Sequence, residues 1–191
     1  MKGLTSDSAW VVVPALIGSS IGAVAAIFGG KAIHQWIDEN YFFSPVKGVS
    51  MEPEYHAGDR LMIKRRGYQL HYGDVVLIRS SLLDEGENFC KRIIGLPGDM
   101  IELRGGKVMR NGEEVVESYL GDVQTKPRAG EGNIYRIKPG HVFVLGDNRP
   151  VSMDSRCKEL GQVPISAIRG VVVEHWPQDS AEYRLLAALK G

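Results

Sequence analysis

At 191 residues, with 43% apolar and 24% charged residues, the chain has the size and composition of one compact globular domain with room for a small satellite. Its 23 Lys and Arg balance its 23 Asp and Glu, which leaves neither the basic stripe that nucleic-acid binding needs nor an acidic tail. Cys90 and Cys157 are too few for a disulfide framework, and with no C-x-x-C and no partnering His pair they form no zinc pattern.

From Trp10 to Gly30 run 21 residues without a charge, about the length that crosses a bilayer core. Trp10 and Trp36 bracket the run as interfacial aromatics do. The expectation is a retained transmembrane anchor with its flank over 10–36, behind a short cytoplasmic N-terminus, 1–9. Two other readings are a leader cleaved after Ala23-Val24-Ala25 and a buried globular helix, although the latter rarely lacks a polar stripe over such a length. Lys2 and Lys31 lie on opposite flanks and do not encode orientation. Residues 37–47 read as a juxtamembrane linker, with Tyr41, Phe42 and Phe43 at headgroup level.

Beyond the linker the chain reads as strands. Leu61–Arg65, Asp74–Arg79, Phe89–Ile94, Met100–Leu103, Val142–Leu145 and Gly170–Glu174 are short, rich in β-branched residues and bounded by Gly, Pro or Asp. Lys107–Arg110 and Glu113–Val116 flank Asn111-Gly112, a pair suited to a type I′ hairpin turn. Residues 117–140 read as long connections, and Ala181–Leu189 carries the one helical period after residue 40. The expected fold is mainly β: an N-terminal transmembrane helix, then an antiparallel sheet or open barrel as the catalytic domain (37–104 and 140–177), a smaller β insertion (105–139) and a tail (178–191).

Three segments combine reactive side chains with turn chemistry. In Gly48-Val49-Ser50-Met51-Glu52-Pro53 a hydroxyl sits on a sharp bend; an isolated loop serine is ordinarily inert, and position 52 departs from the G-x-S-x-G elbow. In Cys90 to Asp99, CKRIIGLPGD, a lysine lies in an apolar strand. Alternation puts Phe89, Lys91 and Ile93 on one face and Cys90, Arg92 and Ile94 on the other. Lys91 is then either at an exposed edge or buried, and burial would turn a permanent cation into a base. In Gly146 to Arg156, GDNRPVSMDSR, a turn-rich loop follows an apolar strand, and Asp154 and Arg156 can pair with each other or with Arg92.

Together the three segments resemble the type I signal peptidases, or leader peptidases, of the bacterial or mitochondrial inner-membrane type with a Ser-Lys dyad. The motifs S-M-x-P, K-R-x-x-G-x-P-G-D and G-D-N-x-x-x-S-x-D-S-R match in order and spacing, and the resemblance covers about residues 44–176 plus the anchor. It implies Ser50 as nucleophile, Lys91 as general base and Ser152 as the hydroxyl that hydrogen-bonds and orients the lysine amine. It implies Asp147, Asn148, Asp154 and Arg156 as structural supports, with Arg92 as the ion partner of Asp154. The backbone N–H of Ser50 is expected in the oxyanion hole; some family members add a serine at the position held here by Gly48. Glu54 and Tyr55 also depart from the family's usual M-x-P-T-L.

The implied chemistry is acyl transfer without metal or organic cofactor. The partners are preprotein signal peptides and a lipid bilayer, with no nucleic acid. Substrate is expected to add as a β-strand near Val46, Lys47 and Gly48 and near Asn88, Phe89 and Cys90, and to be cut after Ala-x-Ala. The implied location is a bacterial plasma membrane, single-pass, with the catalytic domain on the extracytoplasmic side; the alternative is the mitochondrial inner membrane. Cys90 and Cys157 flank Lys91 and Arg156, so they are either a disulfide or two free thiols. Ser44-Pro45-Val46-Lys47 fits S-x-x-K, but no K-T-G follows and the match is accidental. A Ser-Lys self-cleaving repressor would place a DNA-binding domain before the protease, and a catalytically silent membrane-anchored β-module need not keep Ser50, Lys91 and Ser152 together.

Overall fold

The computed structural model describes residues 30–79, 88–181 and 183–184. The N-terminal segment 1–9, the apolar run up to residue 29 and the end of the tail lie outside these residues, as do the expectations made for them. Among the described residues no helix is long and apolar enough to cross a membrane. The first described element is helix α1, Gly30–Asn40, whose C-terminus is capped by the Asn40 side chain donating to the Trp36 carbonyl at 2.7 Å.

Strand β1, Tyr41–Pro45, follows α1 directly and pairs antiparallel with β2, Arg60–Lys64. The expected linker is therefore the end of a helix and an edge strand. Its aromatics are taken up by the protein's own packing. Phe43 lies 5.6 Å from Trp176, centroid to centroid, and Phe42 carries the Arg65 guanidinium at 4.5 Å. The linker reading failed because aromatic residues next to an apolar span suit a membrane interface and a strand equally well.

The remaining strands of the main sheet are β3, Val75–Ile78; β4, Phe89–Gly95; β9, His141–Leu145; β10, Val163–Pro164; and β11, Ile168–Trp176. They form a seven-stranded antiparallel sheet in the order β1-β2-β11-β3-β4-β9-β10. Bulges at Ile168/Gly170, Val172/Glu174 and Ile93/Gly95 curl it. Both faces are covered. Val76, Ile78, Ile93, Val142 and Val144 form the core on one side; Leu61, Ile63, Val75 and Leu77 pack on the other with Val46, Met51 and Tyr55. That is why these strands read as continuous apolar runs instead of half-buried alternation.

The second sheet joins β5, Met100–Arg104; β6, Lys107–Arg110; β7, Glu113–Glu114; and β8, Ile134–Arg136, in the order β7-β6-β5-β8. The β6–β7 turn has Asn111 at φ 54° and Gly112 at φ 91°, the two positive values a type I′ turn requires. Asp99 ends the P-G-D turn and binds this hairpin to the main sheet. It accepts from the Leu96 N–H at 2.8 Å, Arg110 Nε at 2.7 Å and Asn111 Nδ2 at 2.8 Å. Burial pushes its carboxyl up, but those three donors hold it below the ordinary carboxylate value. The short strands β8 and β10 carry too few apolar residues to have been legible. Of the expected C-terminal helix, Ala181, Tyr183 and Arg184 are helical and the rest lies outside the described residues.

Gly170 marks the closest approach of two strands. A Cβ there would run into the Lys64 carbonyl and stand 2.6 Å from Ile63 Cγ2. Gly170→Val is expected to lower stability by about 1–3 kcal/mol, the usual cost of overpacking a core. Urea unfolding of the full chain in detergent, followed by tryptophan fluorescence, should show a lower midpoint.

Candidate active site

Ser50 stands in the turn between β1 and β2. Gly48, at φ 69°, takes a left-handed conformation that turns the chain, and the Tyr55 N–H closes the bend onto the Met51 carbonyl at 3.0 Å. Met51 is 2% exposed and packs with Val46, Tyr55 and Leu77, so the residue after the serine is the anchor that presses the turn onto the sheet. Tyr55, atypical in the sequence, belongs to that same packing and meets the His175 ring edge-on at 4.7 Å. Glu54 is exposed.

Lys91 lies in the middle of β4, opposite Val76, and is 3% exposed. Its Nζ donates to Ser50 Oγ at 2.8 Å and to the Cys90 carbonyl at 2.9 Å, and sits 5.3 Å from the centre of the Phe89 ring. Of the two readings left open by the sequence, burial is the observed one. A serine hydroxyl and a buried amine separated by 41 positions are in hydrogen-bond contact.

The loop after β9 closes over this pair. Asn148 donates from its backbone to the Ser50 carbonyl at 3.1 Å and from Nδ2 to the Val49 carbonyl at 3.0 Å, holding the serine turn by two consecutive carbonyls. Gly146 leaves room for both sides, since a Cβ there would collide with the Ser152 hydroxyl and the Ser50 carbonyl. Ser152 is fully buried beside them, but its Oγ has no hydrogen-bond partner among the described residues. The expected bond from Ser152 to the lysine amine is not made, because Nζ is directed at Ser50 Oγ and the Cys90 carbonyl.

The ion pairs also differ from expectation. Arg92 forks Asp147, with Nε to Oδ1 at 2.9 Å and Nη2 to Oδ2 at 2.6 Å, and gives Nη1 to the Gly73 carbonyl at 2.9 Å. Asp154 is taken by Arg156, whose Nε and Nη2 lie 2.8 Å from its two oxygens. The reason is geometric: Arg92 pairs with Leu145 across β4 and β9, which brings it to the first residues of the loop and not to position 154. Burial works against the Arg92 cation, but the Asp147 carboxylate holds it charged, above the ordinary guanidinium range.

Sequence reasoning missed Arg149, which has no exposed surface at all. It gives Nε to the Gly146 carbonyl at 3.0 Å, and Nη1 and Nη2 to Glu117 at 3.0 and 2.6 Å. No local signal reveals a pair 32 residues apart. Among the expected substrate contacts, Val46 is a correction. Its side chain is core, and its N–H and carbonyl are bonded to Asp59 and Gly58 at 2.8 and 3.0 Å, which leaves it no backbone for a substrate strand. Lys47 and Gly48 are exposed, and Asn88, Phe89 and Cys90 are half-buried.

With this geometry in view, comparison with known proteins gives the class. The sequence matches the family described as signal peptidase, peptidase S26, over residues 22–176. A signal peptidase I from Bacillus licheniformis is 35% identical over 141 residues, 68% of this chain and 74% of that one. One from Bacillus caldolyticus is 34% identical over 149 residues, 69% and 78% of the two chains. A crystal structure of a signal peptidase I from Enterococcus faecalis, 30% identical, superposes with a TM-score of 0.48 over 56% of this chain and 100% of that one. The chain belongs to the signal peptidase family: it is a serine endopeptidase, a hydrolase that cleaves signal peptides.

Both cysteines are free thiols, so the bridge considered from sequence is not formed. Burial pushes the Cys90 thiol up to about 12, against the opposing pull of Lys91, so it stays protonated and a poor nucleophile at neutral pH. Thiol titration of the denatured, unreduced protein should count two. In the native protein Cys90 should react with iodoacetamide far more slowly than a free cysteine, and a single disulfide or a fast-reacting Cys90 would contradict this.

Proposed function

We propose that Ser50 is the nucleophile and Lys91 the general base of a Ser-Lys dyad that cleaves signal peptides after small residues of the Ala-x-Ala type through an acyl-enzyme. The observation that carries this reading is the 2.8 Å contact between Ser50 Oγ and the Nζ of Lys91, a lysine that is only 3% exposed. With the amine deprotonated the same contact runs the other way, the hydroxyl donating to Nζ. Burial favours that neutral form, because taking an ammonium out of water is costly.

Ser50 Oγ attacks the scissile carbonyl carbon while its proton passes to Nζ. The oxyanion takes the Ser50 N–H as one donor. The Lys91 ammonium then gives its proton to the leaving amine as the C–N bond breaks, leaving the ester. Water attacks that ester with Nζ again taking the proton, and Ser50 recovers its hydroxyl. Ser152, whose buried Oγ lies beside Ser50 with no hydrogen-bond partner among the described residues, is the hydroxyl that receives the lysine amine once it carries the extra proton.

The substrate strand has a place to pair. β3 flanks β4 from Phe89 to Arg92, whereas β9 pairs with it only from Arg92 onward, so the Phe89–Lys91 edge is open among the described strands. Lys47, Gly48 and Asn88 border that edge in this reading. The apolar run 10–30 anchors the chain in a bacterial plasma membrane, with the catalytic sheet on the extracytoplasmic side where the preprotein's apolar segment ends.

Ser50→Ala should abolish cleavage of a peptide with an Ala-x-Ala site and leave the circular dichroism spectrum unchanged. Residual turnover above about one per cent, well beyond what a lost nucleophile leaves, counts against the assignment. Lys91→Arg keeps the charge but cannot release its proton, so it should be as inactive as Lys91→Ala. In the native enzyme the rate should rise with pH through an apparent pKa well below about 10.4, the value of an ordinary lysine. An active Lys91→Arg enzyme, or a limb at the free-lysine value, would assign deprotonation of Ser50 to another group. Ser152→Ala should lower kcat by about ten- to a thousandfold, within the range of an acid–base contribution.

A further inference from the structure

The loop that carries Ser152 is held from the inserted sheet as well as from the main one. The stretch 117–128 leaves the small sheet after β7 and is tied back to it by the Thr125 N–H on the Gly106 carbonyl at 2.7 Å. From this stretch Glu117 forks Arg149, and Thr125 Oγ1 accepts from the same guanidinium. Arg128 reaches the loop's backbone directly. Its Nη1 donates to the Pro150 carbonyl at 3.0 Å and its Nη2 to the Ser152 carbonyl.

Ser152 is thereby fixed at both ends. Its N–H is bonded to the Asn148 carbonyl at 3.0 Å and its carbonyl to Arg128, so only the side-chain torsion is left free, and the packing against Gly146 restricts that too. Arg128 Nε, in contrast, is buried with no hydrogen-bond partner among the described residues. A buried donor left unpaired costs stability, so the guanidinium is placed for its grip on the two carbonyls and not for its own satisfaction.

We propose that Arg128 is a positioning residue of the active site, which sets the Ser152 hydroxyl against Lys91 by holding the Pro150 and Ser152 carbonyls, and so makes the inserted sheet a working part of catalysis. This rests on the assignment of Ser152 as the hydroxyl that supports Lys91. A purely structural role would lower stability without touching the titration of the dyad; a positioning role changes turnover and its pH dependence.

The experiment compares the full chain in detergent with Arg128→Gln, Arg128→Lys, Ser152→Ala and the Arg128→Gln/Ser152→Ala double variant on one Ala-x-Ala peptide. Arg128→Gln is expected to lower kcat about ten- to a hundredfold, the scale on which small misplacements of catalytic groups act. KM should stay within about twofold, since the substrate edge is untouched. The rising limb of its pH profile should shift in the same direction as in Ser152→Ala. Arg128→Lys, which offers a point charge in place of a fork, should fall between native and Arg128→Gln. The double variant should be no slower than Ser152→Ala alone. If Ser152→Ala is impaired while Arg128→Gln turns over like the native enzyme, the positioning role is overturned and the Ser152 assignment stands. If the losses multiply in the double variant, Arg128 acts by another route and the proposal also fails. A Ser152→Ala enzyme with native kcat would remove the Ser152 assignment and, with it, the route through which Arg128 acts. Should Arg128→Gln not fold, the kcat and pH limb of Arg128→Lys decide in the same way.

Discussion

A lysine amine enclosed by a protein core and held against a serine hydroxyl is the constraint around which this molecule is arranged. An ammonium in water is stable, and moving it into a strand flanked by apolar neighbours is unfavourable unless the surroundings are fixed in place. β4 supplies the position, with β3 covering one side along its whole approach to the site. Met51 presses the serine turn onto the sheet, and Asn148 grips that turn by two carbonyls. Gly146 provides the space in which the Ser50 backbone and Ser152 meet.

A second layer keeps that arrangement rigid. Arg92, Arg149 and Arg156 are each paired with a carboxylate by two guanidinium nitrogens and each donate to a main-chain carbonyl as well. Burying six ions is not in itself a route to stability, because desolvation largely cancels the attraction within each pair. What the forks supply is geometry: planar donors meeting planar acceptors allow one orientation, and the attached carbonyls transmit it to the loop. The connection that leaves the small sheet after β7 joins this layer through Glu117, Thr125 and Arg128, so the two sheets share a single hydrogen-bonded loop.

Much of this could be read before folding was considered. The β-branched runs announced β2, β3, β4, β9 and β11, and Asn111-Gly112 announced its hairpin, because pleated strands and positive φ angles select residue types locally. Ser50, Lys91 and Ser152 stood out because a lysine in an apolar strand and a serine on a bend belong to long motifs with few alternative meanings. The readings that failed did so for one reason. The aromatics of β1, the partner of Arg92 and the spare backbone of Val46 all depend on which distant residue arrives opposite, and short-range pattern does not contain that.

The sequence by itself determined the chemical inventory: which strands form, which turns bend, and which side chains bring a hydroxyl, an amine or a charge. Only the tertiary structure decided the pairings. It brought Lys91 to Ser50 across 41 positions, gave Arg92 to Asp147 and Arg156 to Asp154, left the two thiols unbridged and set Arg128 on the Ser152 carbonyl. Residue type is fixed by local backbone and solvent preference, whereas a contact is fixed by strand register and sheet curl, which are properties of the whole chain.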